Sequence, residues 1–173
     1  MRDIVFEYKE LLALRLEIEQ KLSVLPKGYI SKKMIGGKEY LYLQTRNGTA
    51  VESKYIKAGK AEEIINQLAL RKEYEAKLPD VLTRLADIET AAGLLDKALL
   101  RKLRLLRLSN GMDDISADEK AKRISFSDAM TSIEGVPMSD TVSKDLEDWK
   151  NGDAAFISVF EQTLRRYGFV TEA

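Results

Sequence analysis

The chain has 173 residues, no net formal charge and 45% hydrophobic residues, enough for one domain or two small ones. It contains no cysteine and no histidine, which excludes a disulfide framework, a thiolate metal site and histidine-based acid–base catalysis. Because no catalytic constellation remains, we predict a protein that is not an enzyme and that needs neither a cofactor nor a metal.

Charge is distributed unevenly along the chain. Eight basic residues face only two acidic ones between residues 27 and 60, whereas acidic residues dominate after residue 109. This asymmetry indicates a basic surface for an anionic partner and a separate acidic module, or two halves that attract each other. Charged residues interrupt any apolar run at the N-terminus, and no apolar run reaches the length of a bilayer span, so we expect a cytoplasmic protein with no membrane partner.

The first half of the chain predicts a helix followed by a sheet. Residues Asp3 to Leu25 predict an amphipathic helix, whose apolar positions are Leu11, Leu14, Ile18, Leu22 and Leu25. Three strands are predicted next, over Tyr29 to Ile35, Lys38 to Arg46 and Thr49 to Ile56, joined by two-residue turns at Gly36-Gly37 and Asn47-Gly48. Alternation places Leu41, Leu43 and Thr45 on one face of the second strand, and Tyr40, Tyr42 and Gln44 on the other.

Helices are predicted after the sheet. Residues 60 to 78 are expected to cover it, with Ile64, Ile65, Leu68 and Tyr74 facing inward. Pro79 is expected to begin a separate leucine-rich helix, Asp80 to Leu108, with Leu82, Leu85 and Leu95 near heptad spacing and Gly93 as its weakest point. The apolar side of residues 80–108 is expected to pair with the first helix or with a second copy of the chain.

The last third predicts a small helical domain. Ser116 to Glu119 form a capping box that begins a helix ending at Glu134, with Ile124, Phe126, Ala129, Met130 and Ile133 as its apolar residues. Gly135 suits a left-handed C-cap, and Pro137 prevents continuation. Two short helices follow, and Trp149, Phe156 and Phe169 are expected in their core.

These elements predict an α+β protein: an N-terminal helix, a three-stranded antiparallel sheet covered by a helix, a long connecting helix and a small all-α domain. The predicted segments are 1–26, 27–78, 79–108 and 109–173.

The stretch KGYISKKMIGGKEYLYLQTRNGTAVESKYIKAGKAEEI resembles the arm-type DNA-binding domain of phage-type integrases. That resemblance implies a sheet placed in the major groove of double-stranded DNA. The candidate residues are Lys32, Lys33, Arg46 and Lys54 for phosphates, and Tyr40, Tyr42 and Gln44 for bases. The plainer interpretation is a solvated sheet whose lysines protect its edges from aggregation.

The helix end at Glu134, with the following PMSDTVSKDLEDWKNGDAAFISVFEQTLRRYG, resembles the VbhA family of antitoxins, which inhibit Fic-type AMP transferases. The family pattern is Ser or Thr, three residues, Glu, then Gly or Asn. Glu134 and Gly135 match it, whereas Met130 stands at the hydroxyl position and Thr131 follows one residue later. The plainer interpretation of this segment is an ordinary helix end with a glycine cap.

The resemblance implies that Glu134 pairs with a toxin arginine that otherwise holds the γ-phosphate of ATP. A desolvated bidentate carboxylate is strong enough to compete for that guanidinium. The candidate inhibitory residues are Thr131, Ser132, Ile133, Glu134 and Gly135.

We therefore expect a bacterial or phage antitoxin-like regulator that inhibits a Fic-type toxin through its C-terminal domain, with DNA binding by the basic sheet as a further role. Three alternatives remain open at this stage. The toxin is a nucleotidyltransferase, which Met130 would favour; the chain is a DNA-binding accessory protein of a mobile element; or it is a scaffold that binds no nucleic acid.

Overall fold

The structure, a computed structural model, describes residues 3–168, and within them the predicted α+β class is confirmed. The elements are α1 (Ile4–Val24), β1 (Tyr29–Ile35), β2 (Lys38–Asn47), β3 (Ala50–Ile56), α2 (Ala61–Leu95), α3 (Lys97–Ser109), α4 (Ala117–Ile133), α5 (Asp140–Asn151) and α6 (Phe156–Arg166), with a 3₁₀ turn at Ala58–Lys60. Phe169, predicted to be in the core, lies outside the described residues. Within that described part, no helix has the length and apolar character that crossing a bilayer requires.

Two compact units divide the chain. One is Ala13–Asp87, and the other combines Met1–Leu12 with Ile88–Ala173. The predicted boundaries at 26/27 and 108/109 lie near the ends of elements, whereas the one at 78/79 lies within α2. The two units divide within α1 and within α2, so that each of these helices contributes to both.

Helix α1 forms where predicted, but part of its apolar stripe differs. Tyr8, Leu12 and Ile18 are buried, whereas Leu14 is 41% exposed. The Tyr8 hydroxyl donates to Glu89 Oε1 at 2.5 Å, which gives its polar end a partner. At the other end of the helix, Arg71 Nη1 donates to the Leu22 and Leu25 carbonyls at 2.7 and 2.9 Å. These bonds satisfy carbonyls that have no partner within the helix itself.

The prediction that Pro79 separates two helices is wrong, because α2 runs from Ala61 to Leu95 with Pro79 inside it. Proline removes the hydrogen bond to the Glu75 carbonyl and costs roughly 3 kcal/mol in a helix interior. One apolar stripe nevertheless continues through it, formed by Tyr74, Leu78, Val81, Leu85, Ile88 and Ala92, of which the last four are buried. Burial of these four side chains after the proline, together with that of Leu68 before it, outweighs the cost.

The predicted helix Asp80 to Leu108 is instead divided at Asp96. The Asp96 carboxylate accepts from Ala98 N at 2.8 Å and caps the start of α3. Leu82 and Leu95, expected on the heptad stripe, are 43% and 81% exposed. Gly93, the expected weak point, lies in the last turn of α2.

The sheet has the order β1-β2-β3, with both pairs antiparallel. Gly36 and Gly37 form the first turn as predicted, and both have positive φ, at 57° and 75°. The second turn is Gly48-Thr49, one residue later than predicted, because Asn47 pairs with Ala50. In the second turn only Gly48 has positive φ, which is typical of a type II′ hairpin.

Helices α4, α5 and α6 pack around Trp149, which is 1% exposed. Asp113, in the loop before α4, accepts from Trp149 Nε1 at 3.0 Å and from Phe156 N at 2.8 Å. The Lys120 ammonium donates to the Trp149 carbonyl at 3.2 Å and lies 5.2 Å from the centroid of the indole. The three helices and the loop are thereby connected through Trp149 and Asp113.

Candidate functional surfaces

The end of α4 is a Schellman motif. Gly135 N donates to the Ser132 carbonyl at 3.1 Å, and Val136 N donates to the Thr131 carbonyl at 2.9 Å. Gly135 has φ +75°, which a residue with a side chain rarely adopts. The turn therefore stops the helix directly after Glu134, whose backbone is still helical at φ −76°.

The predicted inhibitory residues do not all face the same way. Ser132, Ile133, Glu134 and Gly135 are exposed, and Ile133 is 79% exposed. Thr131 is half-buried, and its hydroxyl donates to the carbonyls of Ser127 and Asp128 at 3.1 Å. That hydroxyl is bonded to its own helix and does not accompany Glu134.

The Glu134 carboxylate has no hydrogen bond or ion pair with any residue from 3 to 168. It lies at the C-terminal end of a helix, where the helix dipole disfavours a negative charge. Helix stability therefore does not explain this carboxylate.

Sequence reasoning missed an exposed apolar row on α4. Phe126, Met130 and Ile133, predicted only as apolar residues of this helix, are 69%, 42% and 79% exposed. Their spacing of four and three residues places them on one helix face, here called the α4 stripe. The buried side of α4 uses Lys120 and the half-buried Ile124 instead. The spacing was visible in the sequence, but it does not show which of two faces is covered.

The register of the sheet gives it two chemically different faces. The tyrosine face carries Tyr29, Ser31, Lys33, Ile35, Lys38, Tyr40, Tyr42, Gln44, Arg46, Val51, Ser53 and Tyr55. The leucine face carries Ile30, Lys32, Met34, Glu39, Leu41, Leu43, Thr45, Glu52, Lys54 and Ile56. The predicted alternation along β2 matches this register.

The structure does not bring the seven predicted DNA-binding residues together. Lys33, Tyr40, Tyr42, Gln44 and Arg46 share the tyrosine face. Lys32 and Lys54 lie on the leucine face, where Lys32 Nζ is 3.1 Å from Glu39 Oε1. Since side chains alternate along a strand, Lys32 and Lys33 cannot serve the same surface.

The negative charges of the sheet are confined to one face. Both acidic residues of the sheet, Glu39 and Glu52, lie on the leucine face. The tyrosine face has three cations and no acid, and its third cation, Lys38, was missed by the prediction. Lys38 and Arg46 lie on the central strand, so protection of the sheet edges does not explain them.

The tyrosine face is open and carries an aromatic cluster. The Tyr55 ring lies 6.0 Å from the ring of Tyr40 and 5.7 Å from that of Tyr42. Lys33 Nζ is 4.7 Å from the centroid of Tyr42, within cation–π range. Four large side chains here are exposed by about half: Tyr29, Ile35, Val51 and Tyr55. On the leucine face, Ile56 is 4% exposed, whereas Met34 near the first turn is 68% exposed.

Comparison with known proteins adds one finding, which concerns the first helix and the sheet. A family described as a domain of unknown function, DUF6788, matches residues 8–65, from α1 through the sheet into the first turns of α2. No curated protein and no solved structure matches the chain. The match assigns no activity. It marks the helix and sheet as similar to a recurring unit, and it does not extend to the segment from α3 to α6.

Proposed function

We propose that the chain is an antitoxin-like regulator that binds a cognate toxin through the end of α4 and inhibits it. The observation that carries this proposal is the α4 stripe, an exposed apolar row that leads along one helix to the exposed Glu134, whose carboxylate is unpaired within the described part of the chain. The proposed partner is a Fic-type AMP transferase.

The α4 stripe has the spacing of a helix that binds in a groove. Such helices place apolar anchors at positions i, i+4 and i+7, which Phe126, Met130 and Ile133 match. Burying each large apolar side chain contributes about 1.5–3 kcal/mol, so three of them supply a substantial part of a specific association. Phe126 and Ile133, which are mostly in water, contribute little to folding.

Glu134 supplies the inhibitory chemistry in this proposal. An exposed carboxylate with no partner among residues 3–168 is available to a cation of another protein, and arginine binds carboxylates in a bidentate manner. In a Fic-type transferase, that arginine is the one that would otherwise hold the γ-phosphate of ATP. Once it is paired with Glu134, ATP binds in an unproductive pose.

Met130 fits this account as an anchor. The VbhA-like pattern has a hydroxyl at this position, but here Met130 belongs to the α4 stripe and is 42% exposed. Contact with the toxin at this point would therefore be apolar. The alternative partner is a nucleotidyltransferase toxin, which also needs a cation for nucleotide phosphates. Glu134 would pair with that cation in the same way.

Binding is tested by changing the α4 stripe. Phe126→Ser with Ile133→Ser should lower co-purification with a Fic-type transferase from the same genome at least tenfold. The matched control is Val24→Ser with Val51→Ser, which removes two exposed apolar side chains elsewhere. Equal capture by the stripe variant and the control would show that α4 does not form the interface.

A second candidate function, binding of double-stranded DNA, is favoured by the acid-free tyrosine face. Three strands spaced about 4.8 Å apart are roughly 10 Å wide between the outer strands, which fits a major groove about 12 Å wide. Lys33, Lys38 and Arg46 would contact phosphates, while Tyr40, Tyr42 and Gln44 would lie toward the bases. The two functions use different parts of the chain, so one protein can perform both.

A further inference from the structure

Helix α3 carries a concentration of positive charge that neither proposed function uses. Its thirteen residues include five cations and no acid. The cations are Lys97, Arg101, Lys102, Arg104 and Arg107. One of them has an internal role, since Arg107 Nη1 lies 3.1 Å from Glu89 Oε1.

Helix stability does not account for the remaining charges. Lys97 is the first residue of α3, at the positive end of the helix dipole, where a cation is unfavourable. Lys97 and Arg101 are four residues apart and Arg101 and Arg104 three apart, so like charges repel along the helix. Other helices of this chain pair their charges at this spacing, as Arg15–Glu19, Arg71–Glu75 and Glu119–Arg123 show.

Three of the cations share one exposed row. Lys97, Arg101 and Arg104 follow the four-and-three spacing of a single helix face, here called the α3 stripe, and all three are exposed. Their side chains make no ion pair or hydrogen bond with any residue from 3 to 168. At 1.5 Å of rise per residue, the stripe spans roughly 10 Å, which suits several consecutive phosphates of a nucleic-acid strand.

We propose that the α3 stripe is a phosphate-binding surface for double-stranded nucleic acid, separate from the tyrosine face. Arginine forks match phosphate oxygens, and a row of fixed cations matches a regular array of phosphates. A lipid surface is the less suitable partner because membrane binding by a basic helix also needs an apolar face. In α3 that face is used internally: Leu103 is 0% and Leu105 is 9% exposed, which leaves only Leu108 as a large exposed apolar side chain.

The test measures binding of the full chain to a duplex of about 20 base pairs by fluorescence anisotropy, and the measurement is repeated over a range of salt concentrations. Arg101→Glu with Arg104→Glu should weaken binding at least tenfold and lower the slope of log K against log salt by about 2. The control, Lys122→Glu with Lys144→Glu, changes the net charge equally on exposed positions of α4 and α5 and should have little effect.

Additional variants and a stability measurement separate loss of binding from loss of folding. Melting temperatures check the fold, and Arg101→Gln with Arg104→Gln replaces the glutamate variant if it unfolds. A parallel variant, Lys33→Glu with Arg46→Glu, tests the tyrosine face on its own. Full retention of affinity in the α3 variant would overturn the proposal even if the tyrosine face binds DNA. Absence of duplex binding near 50 mM salt, or binding of anionic vesicles in preference to DNA, would overturn it as well.

Discussion

Lys32 and Lys33 are neighbours in β1 and lie on opposite faces of the sheet. Lys32 Nζ is 3.1 Å from Glu39 Oε1 on the leucine face, while Lys33 Nζ lies 4.7 Å from the ring centroid of Tyr42 on the tyrosine face. The two side chains have the same charge and occupy adjacent positions in the sequence, so they form a matched pair for testing which face binds an anion.

This pair gives the first prediction. Lys33→Glu should reduce affinity for duplex DNA about tenfold and lower the salt slope, because it places a negative charge on the only acid-free face of the sheet. Lys32→Glu should have a much smaller effect, since it acts on the face that already holds Glu39 and Glu52. Anisotropy with one labelled duplex measures both. Equal losses in the two variants would show that the faces are not distinguished and that only net charge matters.

The second prediction concerns the entry into the sheet. Gly28 has φ +116°, and a Cβ built there would lie 2.1 Å from the Gln44 carbonyl oxygen. Gly28→Ala should therefore lower the free energy of unfolding by at least about 2 kcal/mol. Gly59→Ala is the control, because its φ is ordinary and nothing lies within 4 Å of a Cβ. Urea denaturation of both variants compares them, and a stable Gly28→Ala protein would contradict this backbone geometry.

The third prediction concerns Pro79. Because α2 continues through this residue, Pro79→Ala should restore a hydrogen bond to the Glu75 carbonyl and raise the free energy of unfolding by about 1–3 kcal/mol. The increase should appear in urea denaturation and as a small gain in helical circular dichroism. A loss of stability would indicate that the packing of α2 depends on a bend at the proline.

The fourth prediction concerns Asp113, which accepts hydrogen bonds from Trp149 Nε1 and Phe156 N. Asp113→Ala should cost about 1–3 kcal/mol, since it leaves two donors of the α5–α6 region without their acceptor. The neighbouring Asp114→Ala removes an exposed carboxylate and should change stability by less than about 0.5 kcal/mol. Tryptophan fluorescence during denaturation reports directly on the affected side chain. Equal stabilities for the two variants would mean that the Asp113 bonds are not formed in solution.

The turns and helix starts that depend on local chemistry could be predicted from the sequence. Gly36-Gly37 supplies the positive φ angles of a tight turn, and Ser116 with Glu119 marks the start of a helix. The division between α2 and α3 was mispredicted because Pro79 was given more weight than the N-cap preference of Asp96. In this chain, burial on both sides of the proline exceeds its local cost.

The candidate surfaces were only partly predictable. Alternation along β2 predicted which of its residues share a face. Lys32 and Lys54 were nevertheless grouped with residues of the other face, because alternation within one strand does not fix its register with the neighbouring strands. In α4, both sides carry apolar side chains, and only tertiary packing decides that Ile124 is covered while Phe126 is 69% exposed. Sequence periodicity does not contain that information.

The most direct measurement is the rate of AMP transfer by a purified Fic-type transferase from the same genome, in the presence of increasing amounts of this protein. The wild-type chain should suppress the rate, and Glu134→Gln should relieve suppression at least tenfold while co-purification persists through the α4 stripe. Asp128→Asn, which neutralises another exposed carboxylate of α4, should inhibit like the wild type. Undiminished inhibition by Glu134→Gln would contradict the central claim that this carboxylate displaces a nucleotide phosphate.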